Sequence, residues 1–83
     1  MIRHADTTGQ EIREYIAQGQ ITLAGNSALK IYGTLNCRSG KRMKIKSRVF
    51  FKTETEAIEN GYRPCGHCMS AVYTVWRFNT VTP

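Results

Sequence analysis

Three cysteines in a chain of 83 residues most constrain what this protein can fold into. Two of them form the motif Cys65-Gly-His-Cys68, and the third is Cys37. A chain this short has a thin core, and such domains often depend on a metal or on disulfides for stability. An odd number of cysteines disfavours a secreted disulfide scaffold. The cysteines are therefore expected to be reduced, and either to bind a metal or to perform thiol chemistry.

The rest of the composition predicts a single folded domain over residues 1–83, located in the cytoplasm. Hydrophobic residues make up 41% of the chain, which is typical of a folded protein rather than a disordered one. No apolar run reaches the roughly 20 residues of a membrane helix. The N-terminal segment MIRHADTTGQ is too polar for a signal peptide. We therefore expect no membrane partner.

The first 20 residues predict an N-terminal helix. Thr8 and Glu11 have the spacing of a capping box, and apolar residues follow at helical intervals. Gly19 can end a helix in the left-handed conformation. We expect this helix at about Gly9–Gln18.

The middle of the chain predicts antiparallel strands. The segment ITLAGNSALKIYGTL alternates like a hairpin, with Gly25 and Asn26 as the turn and Leu29 facing inward. The segment SRVFF predicts a further strand with Val49 and Phe51 on one face.

Two more helices are expected after these strands. Thr53 and Glu56 repeat the capping-box spacing, and Gly61 can end the short helix that they begin. Pro64 fits the first turn of a last helix, expected at about Cys65–Phe78. The apolar stripe of that helix is expected to face the core and comprises Met69, Val72, Tyr73 and Trp76. The sequence thus predicts an α+β domain, with a short antiparallel sheet flanked by an N-terminal, a middle and a C-terminal helix.

The motif of Cys65 and Cys68 is compatible with a redox pair or with half of a zinc site. A thioredoxin-like pair follows a strand of a parallel βαβ sheet, whereas a short helix, a glycine and the residues YRP precede this motif. Cys37 adds a third thiol at the end of a predicted strand, and zinc sites commonly combine one such loop with a Cys-x-x-Cys turn. The sequence therefore favours a Zn²⁺ that staples the domain; a redox pair and unligated thiols are the alternatives.

Tetrahedral zinc needs a fourth ligand beside three thiolates. The chain offers two histidines, His4 and His67. His67 lies between two ligand cysteines, where a short turn usually directs the middle side chains away from the metal. His4 is free of that constraint if the N-terminal helix folds over the site. We expect His4 in preference to His67, with water or another donor as further alternatives.

The positive charge of the chain is concentrated in one segment. Residues 38–52, RSGKRMKIKSRVFFK, hold seven cations and no acid within a chain of net charge +6. Such segregation attracts a polyanion, although a solvated basic loop is the alternative. Nucleic-acid contacts are expected from the basic residues Arg38, Lys41, Arg42, Lys44, Lys46 and Arg48.

The segments YGTLNCRSGKR, VFF and TEAIENGYRPCGHC together resemble the metal-binding domain of the bacterial DNA alkylation-repair protein Ada, over about residues 30–68. The resemblance implies a zinc held by four cysteines, the first of which accepts a methyl group from a DNA phosphotriester. It also implies arginines that contact the DNA backbone. Cys37 matches the methyl acceptor, Cys65 and Cys68 match the paired cysteines, and Arg63 matches a backbone-contacting arginine. The helix within residues 1–20 is additional to the family pattern.

One departure from that pattern bears on function. Lys41 stands where the family has its second cysteine, so the predicted site has one thiolate, and one negative charge, fewer. Less negative charge makes a metal-bound sulfur a weaker nucleophile, and a nearby ammonium weakens it further. We therefore expect a zinc module that binds nucleic acid, DNA rather than RNA, and not a turnover enzyme. Stoichiometric methyl acceptance by Cys37 and a structural zinc module for protein–protein interaction are the alternatives.

Overall fold

The computed structural model describes residues 1–37 and 43–81, which form five strands and three α-helices. The strands are β1 (Ile2–Arg3), β2 (Leu23–Asn26), β3 (Ile31–Thr34), β4 (Arg48–Phe51) and β5 (Arg63–Pro64). The helices are α1 (Gly9–Ala17), α2 (Glu54–Glu59) and α3 (Ser70–Val81), and short 3₁₀ turns span His4–Asp6 and Ile45–Ser47. The α+β class is confirmed. Within the described ranges no helix is long and apolar enough to cross a membrane.

The five strands form one sheet in the order β1-β4-β2-β3-β5. All pairs are antiparallel except β3 and β5, which are parallel. Two backbone hydrogen bonds hold β5: the amide of Arg63 donates to Lys30 at 2.9 Å and the amide of Cys65 donates to Tyr32 at 2.7 Å. Pro64 lies between these donors and has no N–H to satisfy. The expectation that Pro64 begins the last helix is therefore wrong.

The capping residues predicted for α1 take their expected roles. The Thr8 hydroxyl accepts from the Glu11 amide and the Glu11 carboxylate accepts from the Thr8 amide, each at 3.1 Å. Gly19 follows the helix with a φ of +74°, so a left-handed glycine ends it as expected. The helix ends at Ala17, one residue earlier than predicted.

The second helix, α2, is capped in a slightly different way. The Thr53 hydroxyl accepts from the Glu56 amide at 3.1 Å, but the Glu56 carboxylate accepts from the amide of Lys52 rather than that of Thr53. Gly61 ends this region with a φ of +84°. The sequence therefore predicted the helix correctly and only half of its capping box.

The hairpin turn lies at residues 27–30, directly after the position that the sequence suggested. Gly25 and Asn26 belong to β2, and the Asn26 side chain accepts from the amides of Ala28 and Leu29 at 2.9 and 3.2 Å. Lys30 closes the turn with a φ of 57°, and Leu29 is 64% exposed instead of facing inward. Gly25 is needed for packing rather than turning, because a Cβ there would lie 2.9 Å from the Phe51 ring.

The two faces of the sheet are covered by different helices. On one side, called the α2 face here, Val49 and Phe51 pack in a cluster with Tyr32, Ala57 of α2 and Tyr62. On the other side, called the α1 face, Phe50 packs against Ile12 of α1 and Ile21. This alternation along β4 follows from the two-residue period of a strand, so the prediction that Val49 and Phe51 share a face is confirmed.

The last helix, α3, is less buried than its sequence pattern predicted. It begins at Ser70 rather than at Cys65, because the cysteine motif forms a separate turn. Met69, just before it, packs against the α2-face cluster. Val72 is 38% exposed and Phe78 is 71% exposed, while Tyr73 and Trp76 are half-buried. The prediction that this stripe faces the core is therefore wrong. The rings of Tyr73 and Trp76 lie against Arg63 instead.

Candidate metal centre

The ends of two neighbouring strands bring the three cysteines together. Cys37 follows β3 through a turn in which its amide donates to Thr34 at 3.2 Å. Cys65 directly follows β5, and Cys68 lies in the turn that leads to α3. Because β3 and β5 are parallel and adjacent, their carboxyl ends lie side by side. The parallel pairing that the sequence did not predict thus assembles the site.

The sulfur atoms have the spacing of a metal site. The three Sγ atoms lie within 4.8 Å of one another, and the Cys37 and Cys65 sulfurs are 3.9 Å apart. Zinc–sulfur bonds of about 2.3 Å in a tetrahedron put sulfurs about 3.8 Å apart. The three cysteines are therefore positioned to bind a metal ion, and the all-thiol donor set suits zinc.

Backbone amides orient the sulfurs of the paired cysteines. The Thr34 amide donates to the Cys68 sulfur and the His67 amide donates to the Cys65 sulfur, each at 3.4 Å. Burial raises the pKa of the Cys68 thiol, and the hydrogen bond from Thr34 opposes this shift. A bound dication would instead lower the pKa of this thiol, because metal binding requires and stabilises the thiolate. The amides would then serve as hydrogen-bond donors to metal-bound sulfur.

Gly33 provides the space in which the sulfurs meet. It is a buried residue of β3, and a Cβ built on it would lie 2.6 Å from the Cys68 sulfur and 3.2 Å from the Cys65 Cβ. Any side chain at this position would displace the paired cysteines. A glycine inside a strand often marks such a close approach, a signal that was present in the sequence but not used.

The structure does not bring His4 to the cysteines. His4 directly follows β1, at the opposite edge of the sheet from β5, and its ring lies 5.5 Å from the Phe50 ring. Burial, with a smaller contribution from Arg48, lowers the pKa of His4. The preference for His4 as the fourth ligand is thus corrected, because the N-terminal segment pairs with β4 rather than folding over the site.

The second histidine does not join the cysteine group either. His67 is exposed in the turn between Cys65 and Cys68, and only its amide contacts a sulfur. Among the residues that the structure describes, the group of convergent metal-binding side chains consists of the three cysteines.

Two of the predicted nucleic-acid contacts lie on the face of the sheet that holds the cysteines. Cross-strand pairing aligns Arg48, Asn26, Ile31 and Arg63 in one row across four strands. Directly paired residues project to the same side of a sheet. Arg48 is two residues before Phe50, and Ile31 is two residues before Gly33, so the row lies on the α1 face, where Gly33 meets the paired cysteines. Three strand spacings separate the two arginines by about 14 Å. Lys44 and Lys46 are exposed just before β4.

Arg38, Lys41 and Arg42 lie outside the described residues.

A recess adjoins the cysteine cluster on the same face. It has a volume of about 220 Å³, and its lining includes Cys37, Cys65, Gly33, Ile31 and Met43. Cys37 itself is 8% exposed and forms part of the lining of this recess.

The tight packing at Gly33 yields a test of the site. We expect Gly33→Ala to lower zinc affinity by at least about tenfold, since outer-shell changes at metal sites commonly cost ten- to a hundredfold. Competition with a chromophoric chelator measures this affinity. Gly9→Ala is the matched control, because the nearest atom to a Cβ there is an Arg13 nitrogen at 3.9 Å. Equal zinc affinities in the two variants would contradict the geometry.

Comparison with known protein families agrees with this arrangement. The family described as the metal binding domain of Ada matches residues 13–70, which include all three cysteines, β2 to β5 and α2. Curated proteins and solved structures gave no match. The matched segment covers more than half of the chain, and its cysteines converge as a metal site requires. The chain therefore belongs to the family of Ada metal-binding domains.

Proposed function

We propose that this chain is a zinc-stabilised module that binds nucleic acid, DNA in preference to RNA, through the phosphate backbone. The observation that supports this function best is that the cysteine cluster shares its sheet face with Arg48 and Arg63. Phosphate contacts provide affinity and position without reading sequence. A metal at the cysteines would fix the carboxyl ends of β3 and β5, and β5 is the strand that carries Arg63.

The placement of the acidic residues of α2 supports the same proposal. Three glutamates, Glu54, Glu56 and Glu59, lie in α2, which covers the opposite face of the sheet. Glu56 is also engaged there by the N-terminal amine at 3.4 Å. The sheet thus separates Arg48 and Arg63 from these three acids, whereas Glu11 and Glu14 of α1 lie on the same side as the arginines. Distance from the α2 acids supports attraction of a polyanion to this face.

Sequence discrimination is expected to be weak. A helix that reads bases in the major groove presents polar side chains with matched donors and acceptors. The α3 segment SAVYTVWRFNTV has a single charged residue, Arg77, and it is the longest helix among the described residues. Backbone recognition is therefore the mode that this surface supports.

Methyl acceptance by Cys37 is a second candidate function, favoured by the recess beside this residue. In that reaction the Cys37 sulfur forms a bond to the methyl carbon of a phosphotriester. The methyl–oxygen bond breaks, and the phosphodiester leaves as an anion. The recess supports this candidate, but three thiolates give the sulfur less negative charge than four. Slow transfer is therefore expected.

Metal removal tests the structural part of the proposal. The small core predicts one zinc per chain and loss of folded structure on chelation, because the binding free energy of a structural zinc is folding free energy. Circular dichroism and metal analysis before and after chelation measure both quantities. Cys37→Ser should retain less than one zinc, whereas Ser70→Ala, at the exposed start of α3, should retain it. A metal-free sample with unchanged structure would refute the structural role.

The salt dependence of binding tests the nucleic-acid part. If about five phosphates are contacted, log K should fall with log salt at a slope of about −4.5 on duplex DNA. Lys46→Ala should reduce this slope by about one. Lys52→Ala removes the same charge at the other end of β4 and should leave the slope unchanged. Fluorescence titrations on DNA and RNA at several salt concentrations provide these values.

Three outcomes would count against backbone recognition. They are a slope near zero, an equal effect of the two lysine changes, and a strong preference for one duplex sequence. A slope near zero would instead favour a module for protein–protein interaction.

Mass spectrometry after incubation with methylphosphotriester DNA tests the second candidate. We expect little methylation of the protein within minutes, because each 1.4 kcal/mol of lost transition-state stabilisation slows a reaction about tenfold. Cys37→Ser is the control for the site of any modification. A rapid gain of one methyl group per chain, absent from this variant, would make methyl transfer the principal function.

A further inference from the structure

Arg63 is held by two aromatic rings of α3. Its guanidinium carbon lies 5.3 Å from the centre of the Tyr73 ring and 5.8 Å from that of the Trp76 ring. The two rings are themselves stacked, with centroids 5.8 Å apart and planes inclined by 24°. Distances below about 6 Å are those of cation–π attraction. The rings therefore restrain the Arg63 guanidinium. Arg63 lies two residues before Cys65, the first of the paired cysteines.

The aromatic pair also contacts the cysteine turn. A Cβ built on Gly66 would lie 3.2 to 3.5 Å from three carbons of the Tyr73 ring, so that ring packs against the Gly66 backbone between Cys65 and Cys68. The Tyr73 amide donates to Met69 and the Met69 amide donates to Cys65. The turn, the helix and the arginine thus form one connected unit.

Most donor groups of Arg63 have no hydrogen-bond partner among the residues that the structure describes. One guanidinium nitrogen donates to the Pro64 carbonyl at 3.2 Å, and a guanidinium has five N–H groups in total. In the described part of the chain, no ion pair joins Arg63 to a carboxylate. An arginine whose guanidinium is held by aromatic rings, and which pairs with no carboxylate of the described residues, suits the bidentate binding of a phosphate.

Packing alone does not account for these rings. Tyr73 and Trp76 are half-buried, and neighbouring positions of α3 are open, with Val75 61% exposed. The matched family segment ends at residue 70, so α3 lies beyond it except for its first residue. The aromatic pair is therefore a feature of this chain rather than of the matched segment.

We infer that Tyr73 and Trp76 are positioning residues, which hold the Arg63 guanidinium beside the cysteine cluster so that it binds a backbone phosphate of the nucleic acid. This inference rests on the proposed function. An arginine side chain loses considerable rotamer freedom when it binds, and the rings remove part of that freedom in advance. The helix then contributes to affinity without touching the ligand.

A double-mutant cycle tests the inference, with a fluorescein-labelled DNA duplex of mixed sequence as the probe. Arg63→Ala should weaken binding about three- to tenfold and reduce the salt slope by about one. The double change Tyr73→Leu and Trp76→Leu should weaken binding about two- to fivefold. In the Arg63→Ala background the same ring changes should have no further effect, because they act through the arginine.

Conservative variants separate positioning from general stability. Tyr73→Phe and Trp76→Phe keep an aromatic ring and should retain most of the affinity, and both remain usable if the leucine variants fold poorly. Arg63→Lys keeps the charge but loses the planar group, and should bind less tightly and respond less to the ring changes than the arginine does. Val75→Ala is the control on the same helix. Zinc content should equal that of the unmodified protein in every variant.

Three results would overturn the inference. Ring changes that leave binding unaltered while Arg63→Ala weakens it would show that the arginine needs no positioning. Ring changes that weaken binding equally with and without Arg63 would show that the rings act directly or through stability. An unmodified, zinc-loaded protein that binds neither DNA nor RNA would refute the proposed function itself, and this inference with it.

Discussion

The close approach of the Cys68 sulfur and the Cys65 Cβ to the backbone of Gly33 is the constraint on which the rest of the structure depends. Cys68 and Cys65 approach β3 so closely that no side chain fits between them and the strand. This approach requires β5 to run parallel to β3, and it brings both cysteines to the strand end that leads to Cys37. In a chain with so small a core, three converging thiols can supply through a metal the stability that packing alone provides in larger domains.

Local signals in the sequence predicted much of the fold. The residues that cap α1 and begin α2, the left-handed glycines and the alternation of β4 act over four or five residues. The hairpin turn was misplaced because Gly25 and Asn26 have turn-like identities. Gly25 serves instead to admit the Phe51 ring, a contact with a residue 26 positions away that local propensity cannot reveal.

The candidate site also combines residues that the sequence predicted with residues whose role depends on tertiary packing. The convergence of Cys37, Cys65 and Cys68 was predictable, because a cysteine in a loop after a strand and a Cys-x-x-Cys turn are a common pair of zinc-binding elements. The choice of His4 failed because it depended on where the N-terminus packs, and β1 pairs with β4 instead. The aromatic stripe of α3 looked like core by periodicity, yet only a tertiary structure could show that its rings contact Arg63.

The hydrogen bonding of β5 also affects how copies of this protein meet one another. The amides of Arg63 and Cys65 point inward to β3, so the intervening position faces the outer margin of the sheet, where a free N–H could recruit a strand from another molecule. That position is Pro64, which has no N–H. Pro64 therefore offers no hydrogen-bond donor to a strand of another molecule at this edge. Its presence lowers the risk of edge-to-edge aggregation through β5.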